Sequence, residues 1–486
     1  MNQLNWVKTR SGCAALAIAV ALAWGSAGFG GAFAADATGP GSLDKSFGAG
    51  TADGTPDGVA STSLGDGDDI ANGIATAPDG KVVVVGNRNN GKSNDIVVLR
   101  YAKDGTLDAS FGKAEDGTPD GVVNISLGEG DDFATDVAVQ TDGKIVVAGY
   151  HQEGASTNIA VLRLNTDGTL DSSFGKANDG TPDGVVNISL GDGNDIANAV
   201  GLTADGKVVI AGTTVAKDGT SNIVIGRLNT DGTADAKFGV DGSDGTPDGF
   251  TAVSLGDGND VGEDLAVAQD GKIVVVGTHG PKGNTNIAVL RFTADGTLDP
   301  SFGKANDGTP DGVASFSLGD GSDEANAVAL TADGKIVVAG DSVSKDGSTN
   351  VILARLNADG SLDEAFGVSE DGTPNGFVAT SLGAGNDYAT DVTMDKNGNI
   401  IVAGYHQKGS STNIAVLRYN PKGELDEAFG TADDGTPNGI VNLSLGDGDD
   451  TANGVVMQGD ALIVVGGVTT AKDGSKNITV VRLIGQ

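Results

Sequence analysis

The chain has 486 residues, 66 of them acidic against 30 basic, for a formal net charge of −36. That balance excludes a nucleic-acid partner, because no basic patch is present to release counterions from a phosphate backbone, and it disfavours anionic lipid surfaces as well. With a single cysteine there is no disulfide framework, so stability has to come from packing or from bound ions.

The first 34 residues have the grammar of an export signal. Lys8 and Arg10 supply a positive start, Cys13 to Trp24 is apolar, and Ala32-Phe33-Ala34 offers small residues for cleavage. The apolar run is too short to span a bilayer, and nothing later approaches ~20 apolar residues. Cys13 precedes the apolar run with no lipobox after it, so it reads as signal sequence. Cleavage near Ala34 removes two basic residues and no acidic one, taking the net charge to 28 − 66 = −38. It also removes the cysteine and both tryptophans, Trp6 and Trp24. The expected product is a soluble monomer that is secreted, periplasmic or held at the cell surface, without a membrane span. Residues 35–57 form a leader, and 58–486 the repeat domain.

Internal repetition dominates the chain from Leu43 to Gln486. An L-D-x-[SA]-F-G motif recurs with its phenylalanine at Phe47, Phe111, Phe174, Phe238, Phe302, Phe366 and Phe429, spaced 63 or 64 residues apart. The copy at Phe238 departs from the pattern, with Ala234 and Lys237. Each unit holds four short Val- and Ile-rich segments bounded by Gly, Asp and Asn, as strands should be. In the second unit they run Thr135 to Gln140, Lys144 to Gly149, Asn158 to Leu164 and Val185 to Leu190. Asp142-Gly143 between the first two predicts a two-residue type I′ hairpin, repeated at Asp333-Gly334 and Asn397-Gly398.

Several strands are apolar on both faces, Ile159-Ala160-Val161-Leu162 among them. Such sheets need neighbours on both sides. Tandem sandwiches need ~100 residues per unit, and solenoid coils repeat at ~20–30. A unit of this length suits a β-propeller blade with one long loop. The fold class is therefore all-β, a seven-bladed propeller of four-stranded antiparallel blades. The first strand after the leader, Val59 to Leu64, matches a fourth strand, and the last, Ile478 to Leu483, a third. The N-terminal strand should thus complete the last blade and leave no exposed edge.

The strings D-G-K-I-V-V-A-G, N-I-A-V-L-R-L-N and D-G-T-L-D-x-S-F-G resemble the delta-60 repeat family, a bacterial β-propeller family of unknown function. The resemblance covers Leu43 to Gln486. It implies the fold and export, and no catalytic residue or ligand.

Seven arginines recur at the end of the third strand, Arg100, Arg163, Arg227, Arg291, Arg355, Arg418 and Arg482. Seven motif aspartates accompany them, Asp44, Asp108, Asp171, Asp235, Asp299, Asp363 and Asp426. A residue copied into every blade serves the blade, so these read as structural Arg–Asp pairs. The D-G-T-P-[DN]-G segment before each fourth strand reads as a turn.

The turn leading to each new blade alternates Asp, Gly and Asx, which offers closely spaced oxygens to a hard cation such as calcium. The candidate metal ligands are Asp66, Asp68, Asp69, Asp131, Asp132, Asp192, Asp195, Asp257, Asp260, Asp320, Asp323, Asp387, Asp447, Asp449 and Asp450. Ala384 removes one carboxylate from the sixth-blade turn. The competing reading is a turn held by Asx caps.

His151 and His406 sit in matching G-Y-H-Q segments, and His279 in G-T-H-G. These histidines read as exposed loop residues sharing a rim with the acidic turns. With Tyr150 and Tyr405 beside them, His151 and His406 form an alternative ligand site. No nucleophile elbow, phosphate loop or H-E-x-x-H is present. The functional expectation is an exported, non-enzymatic binding or structural module, with calcium as its candidate ion and a protein, glycan or small molecule as its ligand. The alternatives are a secreted hydrolase or lyase with its site on the His-bearing face, and acidity that reflects only a saline habitat.

Overall fold

Alternate residues of the third strand of the second unit enter different cores. Ile159 and Val161 pack with Val208 and Ile210 of the following unit, whereas Ala160 and Leu162 pack with Val83 and Val98 of the preceding one. All four of these strand residues are fully buried. A strand with no polar face can exist only between two other sheets, and that constraint generates the architecture.

A computed structural model describes residues 39–48, 57–112, 120–175, 183–191, 193–215, 219–239, 249–256, 258–281, 283–303, 311–318, 321–367, 375–430, 438–446 and 448–486. The export-signal segment and the D-G-T-P strings lie outside these residues. Within them the chain forms seven four-stranded antiparallel sheets, six with their strands in sequential order and the seventh taking its outer strand from the N-terminal end. In blade 2 the strands are Asp132–Val139, Ile145–Glu153, Ser156–Leu164 and Val185–Ile188, from the axis outward. The first two are longer than their sequence pattern indicated, because polar residues at their tips also pair. Seven hydrophobic clusters fill the seven junctions between blades. Among the described residues no helix is long and apolar enough to cross a membrane.

The ring closes as anticipated. Val59–Thr62 pairs antiparallel with Lys476–Ile484 and completes blade 7. The inner strands of blades 7 and 1, Asp450–Gln458 and Asp69–Thr76, pack side by side. The leader takes part as well: Leu43 bridges Leu483, and Gly41 N donates to the Ile484 carbonyl. Residues 39–48 therefore belong to the last blade.

The inner hairpins differ from the two-residue type I′ expectation. Gly143 N donates to the Gln140 carbonyl and Gln140 N to that of Lys144, so Thr141, Asp142 and Gly143 form a three-residue connection. Gly143 has φ 84°, which places one residue in the left-handed region at the end of a type I turn. The Asp142 carboxylate accepts from Lys144 N and holds the turn, so the D-G string specifies a bulged turn here.

The repeated Arg–Asp pair joins blade to blade. Each motif phenylalanine is fully buried beneath a guanidinium, whose carbon lies 4.4–4.6 Å from the ring centroid. Arg163 Nε donates to Asp171 Oδ2 at 2.7 Å, and its Nη1 reaches the Thr230 carbonyl of blade 3. Arg482 repeats this across the closure, pairing with Asp44, covering Phe47 and reaching the Lys103 carbonyl of blade 1. Burial pushes Asp171 upward, but bonds from Lys144, Ser173 and Arg163 outweigh it and hold the carboxyl well below its usual range.

If the leader is an integral part of blade 7, Phe47→Ala should destabilise the protein as much as Phe238→Ala in mid-chain, by about 3–5 kcal/mol each. Denaturant melts of the two variants check this, and an unaffected Phe47 variant would contradict closure.

Candidate functional site

The face where inner strands begin carries the acidic turns, and the structure gives their carboxylates specific work. The last aspartate of each turn, Asp69, Asp132, Asp195, Asp260, Asp323, Asp387 and Asp450, is fully buried. Its Oδ2 accepts the N–H of the leucine that opens the same turn, at 2.6–2.7 Å in all seven. The residue before it reaches back to the preceding blade. Asp131 accepts from Asn94 N at 2.7 Å, Asp449 from Thr412 N at 3.0 Å and Asp68 from Lys476 N at 3.1 Å, with Asn194, Asn259, Ser322 and Asn386 in the same role elsewhere. Asp66, Asp68 and Asp449 remain exposed and Asp131 half-buried, while Asp192, Asp257, Asp320 and Asp447 lie outside the described residues. Among the described residues no three of His, Cys, Asp and Glu are grouped to hold a metal ion.

The histidines are strand residues and not loop residues, which corrects the sequence reading. His151, His279 and His406 lie in the second strands and stand opposite Asp132, Asp260 and Asp387. His406 Nδ1 is 2.5 Å from Asp387 Oδ1, His279 Nδ1 is 3.6 Å from Asp260 Oδ1, and His151 makes no such bond. His151 and His406 are 7 % exposed. Arg88, Thr214, Ser342 and Thr469 take the equivalent place in the other blades. Tyr150 stacks on Phe133 at 5.0 Å and Tyr405 packs on Tyr388 at 4.8 Å, all four half-buried. The tyrosines and histidines of blades 2 and 6 are thus each paired within their own blade.

What the structure does bring together was not singled out from the sequence. Every inner strand carries a β-bulge, and the residue after it is Gly73, Asp136, Ala199, Asp264, Ala327, Asp391 or Gly454 in blade order. The carboxylates of blades 2, 4 and 6 act on one another across the ring, so they face a common axis. Each also spans two blades. Asp136 Oδ1 accepts from Val137 N and Oδ2 from Val200 N of blade 3, both at 2.7 Å. Asp264 and Asp391 do the same toward Val328 and Val455. Small residues in the alternate blades suit the crowding: a Cβ on Gly73 would come within 2.9 Å of Asp136 Cα.

A second departure from repetition lies between blades 4 and 5. Glu263 stands at the bulge where other blades have Asn or Thr, and Glu324 is paired with Asp341 where blades 2 and 6 have aromatic pairs. Asn326 Nδ2 donates to Asp341 Oδ1 at 2.9 Å. Burial, reinforced by the charge of Glu324, pushes Glu263 and Asp341 up to about 7. Burial also raises Asp136 to about 6, Asp391 to about 7 and Asp264 well above its usual value. A blade-by-blade comparison of the inner strands would have shown T-D-V and E-D-L against N-G-I and N-A-V. That comparison needs the bulge to align the columns.

The two groups of carboxylates pull stability in opposite directions. Motif aspartates such as Asp171 and Asp299 have lowered values, so their contribution is present above the usual carboxylate range and is lost in acid. For Asp136, Asp391, Asp341 and Glu263 the raised values mean stability is present below ~4 and lost as pH climbs through about 6 to 7. The melting midpoint should therefore fall between pH 5 and 8 at constant ionic strength, and Asp136→Asn with Asp391→Asn should flatten that fall. A midpoint that climbs across this interval would contradict the assignment.

Six segments match the model described as "Domain of unknown function (DUF5122) beta-propeller", at residues 77–111, 140–174, 203–238, 268–302, 331–366 and 396–429. Comparison with curated proteins gave no match. Among solved structures, the chain is similar to a protein of unknown function from Dyadobacter fermentans, at 12 % identity and TM-score 0.42, covering 88 % of this chain and 99 % of that one. It is similar to the polysaccharide lyase Uly1 at 11 % identity and TM-score 0.44, covering 85 % and 89 %. It is also similar to Chaetomium thermophilum Sqt1 bound to the N-terminus of the ribosomal protein L10, at 14 % identity and TM-score 0.42, covering 86 % and 97 %. Six of the repeats thus match a model for a β-propeller domain of unknown function.

Proposed function

We propose that this protein is an exported, non-enzymatic binding or structural module, acting at or outside the cell envelope through its acidic face. One observation carries the reading. The repeated charged residues are engaged in joining blades, while the unrepeated ones add carboxyl groups beyond that scaffold: Asp136, Asp264 and Asp391 on the inner strands, where they also tie neighbouring blades, and Glu263, Glu324 and Asp341 at blades 4 and 5. That surplus suits a ligand bearing a cationic group, presented by a protein, a glycan or a small molecule. Calcium is the candidate ion at the turns, where Asp66, Asp68, Asp131 and Asp449 keep solvent access. The delta-60 resemblance supports export and is neutral on the ligand.

The test is a thermal melt of the purified chain in EDTA, in millimolar calcium and in matched magnesium at constant ionic strength. An ion bound only to the folded state raises the midpoint through RT ln(1 + [L]/Kd), or about 2.7 kcal/mol at 100-fold excess over Kd. A calcium-selective rise, lost on replacing Asp66, Asp68, Asp131 and Asp449 with Asn, is the expected result. Identical melts in all three buffers would remove calcium from the reading.

The alternative, a hydrolase or lyase on the same face, is favoured by carboxyl groups at Glu263 and Asp341 held near neutrality, where proton transfer is most effective. Under it, Asp341→Asn should abolish polysaccharide or ester cleavage while leaving the folded ring intact. Under the binding reading, wild type shows no turnover to lose.

A further inference from the structure

The bulge residues form a belt of hydrogen bonds around the inner strands. Asn72 donates to the Ala134 carbonyl of blade 2 at 2.7 Å, Thr135 to Ala197 of blade 3 at 2.7 Å and Asn198 to Gly262 of blade 4 at 2.8 Å. Asn326 donates to Ala389 of blade 6 at 2.8 Å, Thr390 to Ala452 of blade 7 at 2.9 Å and Asn453 to Ala71 of blade 1 at 2.6 Å. Six junctions are thus closed by an amide or a hydroxyl, groups that always carry a hydrogen to give. At the seventh, between blades 4 and 5, the column holds Glu263, and the matching acceptor is the Ala325 carbonyl.

We propose that this junction is a proton-operated latch, in which Glu263 closes the belt onto the Ala325 carbonyl only as the neutral carboxylic acid. A carboxylate has no hydrogen to donate, whereas a carboxylic acid has one. In the structure Glu263 Oε2 lies 3.5 Å from Asn198 Nδ2 of blade 3, so the side chain faces backward along the ring and makes no bond to Ala325. Taking up one proton converts that acceptor into a donor and lets it engage blade 5. With the latch open, the Asp264 carboxylate still links the two inner strands through Val328 N at 2.7 Å, so the ring persists with one fewer tie.

The surroundings set where the proton binds. Burial favours the neutral form of Glu263, and the charge of Glu324 on blade 5 adds to that effect. Asp323 and Asp341 belong to the same part of blade 5, Asp260, Asp264 and His279 to blade 4, and blade 3 presents the neutral amide of Asn198. Together with burial these place the change near neutral pH.

Three full-length chains test the latch by thermal melting from pH 5.5 to 8.5 at constant ionic strength: wild type, Glu263→Gln and Glu263→Ala. Glutamine carries a permanent donor, and alanine carries neither donor nor charge. At pH 5.5 wild type and Glu263→Gln should melt together, above Glu263→Ala. At pH 8.5 Glu263→Gln should exceed wild type by on the order of 2 °C. The latch is overturned if Glu263→Ala matches Glu263→Gln at pH 8.5, since relief of repulsion alone would then explain the gain. It is equally overturned if the gap between Glu263→Gln and wild type does not change with pH. Should Glu263→Gln fail to fold, hydrogen exchange at the blade 5 inner strand of wild type and Glu324→Gln decides. Protection there, corrected for intrinsic exchange, should step down with rising pH in both chains. The step should come at lower pH in Glu324→Gln, because Glu263 gives up its proton more readily once the neighbouring charge is gone. Coincident profiles, or profiles without a step, sink the proposal.

Discussion

A guanidinium stacked on a buried phenylalanine is the contact on which this ring depends. Each arginine lies over its own blade's phenylalanine, pairs with its own blade's aspartate and donates to a carbonyl of the next blade. The planar fork makes these contacts at once, which an ammonium cannot do. Desolvation is the obvious cost, and a paired charge with its donors satisfied offsets it. The copy at Phe238 shows which parts are essential. Ala234 and Lys237 alter the flanks, yet Arg227 still lies 4.4 Å from the ring centroid and 2.8 Å from Asp235.

Closure turns the same contact into a long-range constraint. Asp44 and Phe47 stand near the start of the described chain and are held by Arg482 near its end. The final blade can therefore pack only when both ends of the propeller are present. A ring closed this way packs the inner edge strand of every blade against those of its neighbours, and its outer edges are strands of four residues, too short to template pairing with another chain.

The axis follows a different rule from the rim. At the rim all seven blades carry the same contact, whereas at the axis carboxylates alternate with small residues. Seven is odd, so the alternation fails once, and Gly454 and Gly73 meet at the junction of blades 7 and 1. The other exception is the carboxyl group of Glu263 in a column of amides and hydroxyls. Identical positions explain the scaffold, and the unequal ones are where chemistry beyond the scaffold has to be sought.

Much of this was legible in the residues. Seven phenylalanines at a spacing of 63 or 64, strands apolar on both faces, and a fourth-type strand ahead of a third-type strand at the far end determine a closed ring of blades. These are local or periodic signals, and they survive projection onto a line. The hairpins show the limit, since D-G permits two turn types and only the pairing of Gln140 with Lys144 selects between them. The histidines show it again: G-Y-H-Q looks like a loop until the strand is seen to continue past it, under the pull of cross-strand pairing with Asp132 and Asp387. The axial carboxylates are the clearest case. Asp136, Asp264 and Asp391 are more than a hundred residues apart and become neighbours because a ring brings the same position of every blade to one axis. Their raised affinity for protons comes from burial, to which repulsion from the other axial carboxylates adds at Asp264 and Asp391, and both exist only once the ring has closed.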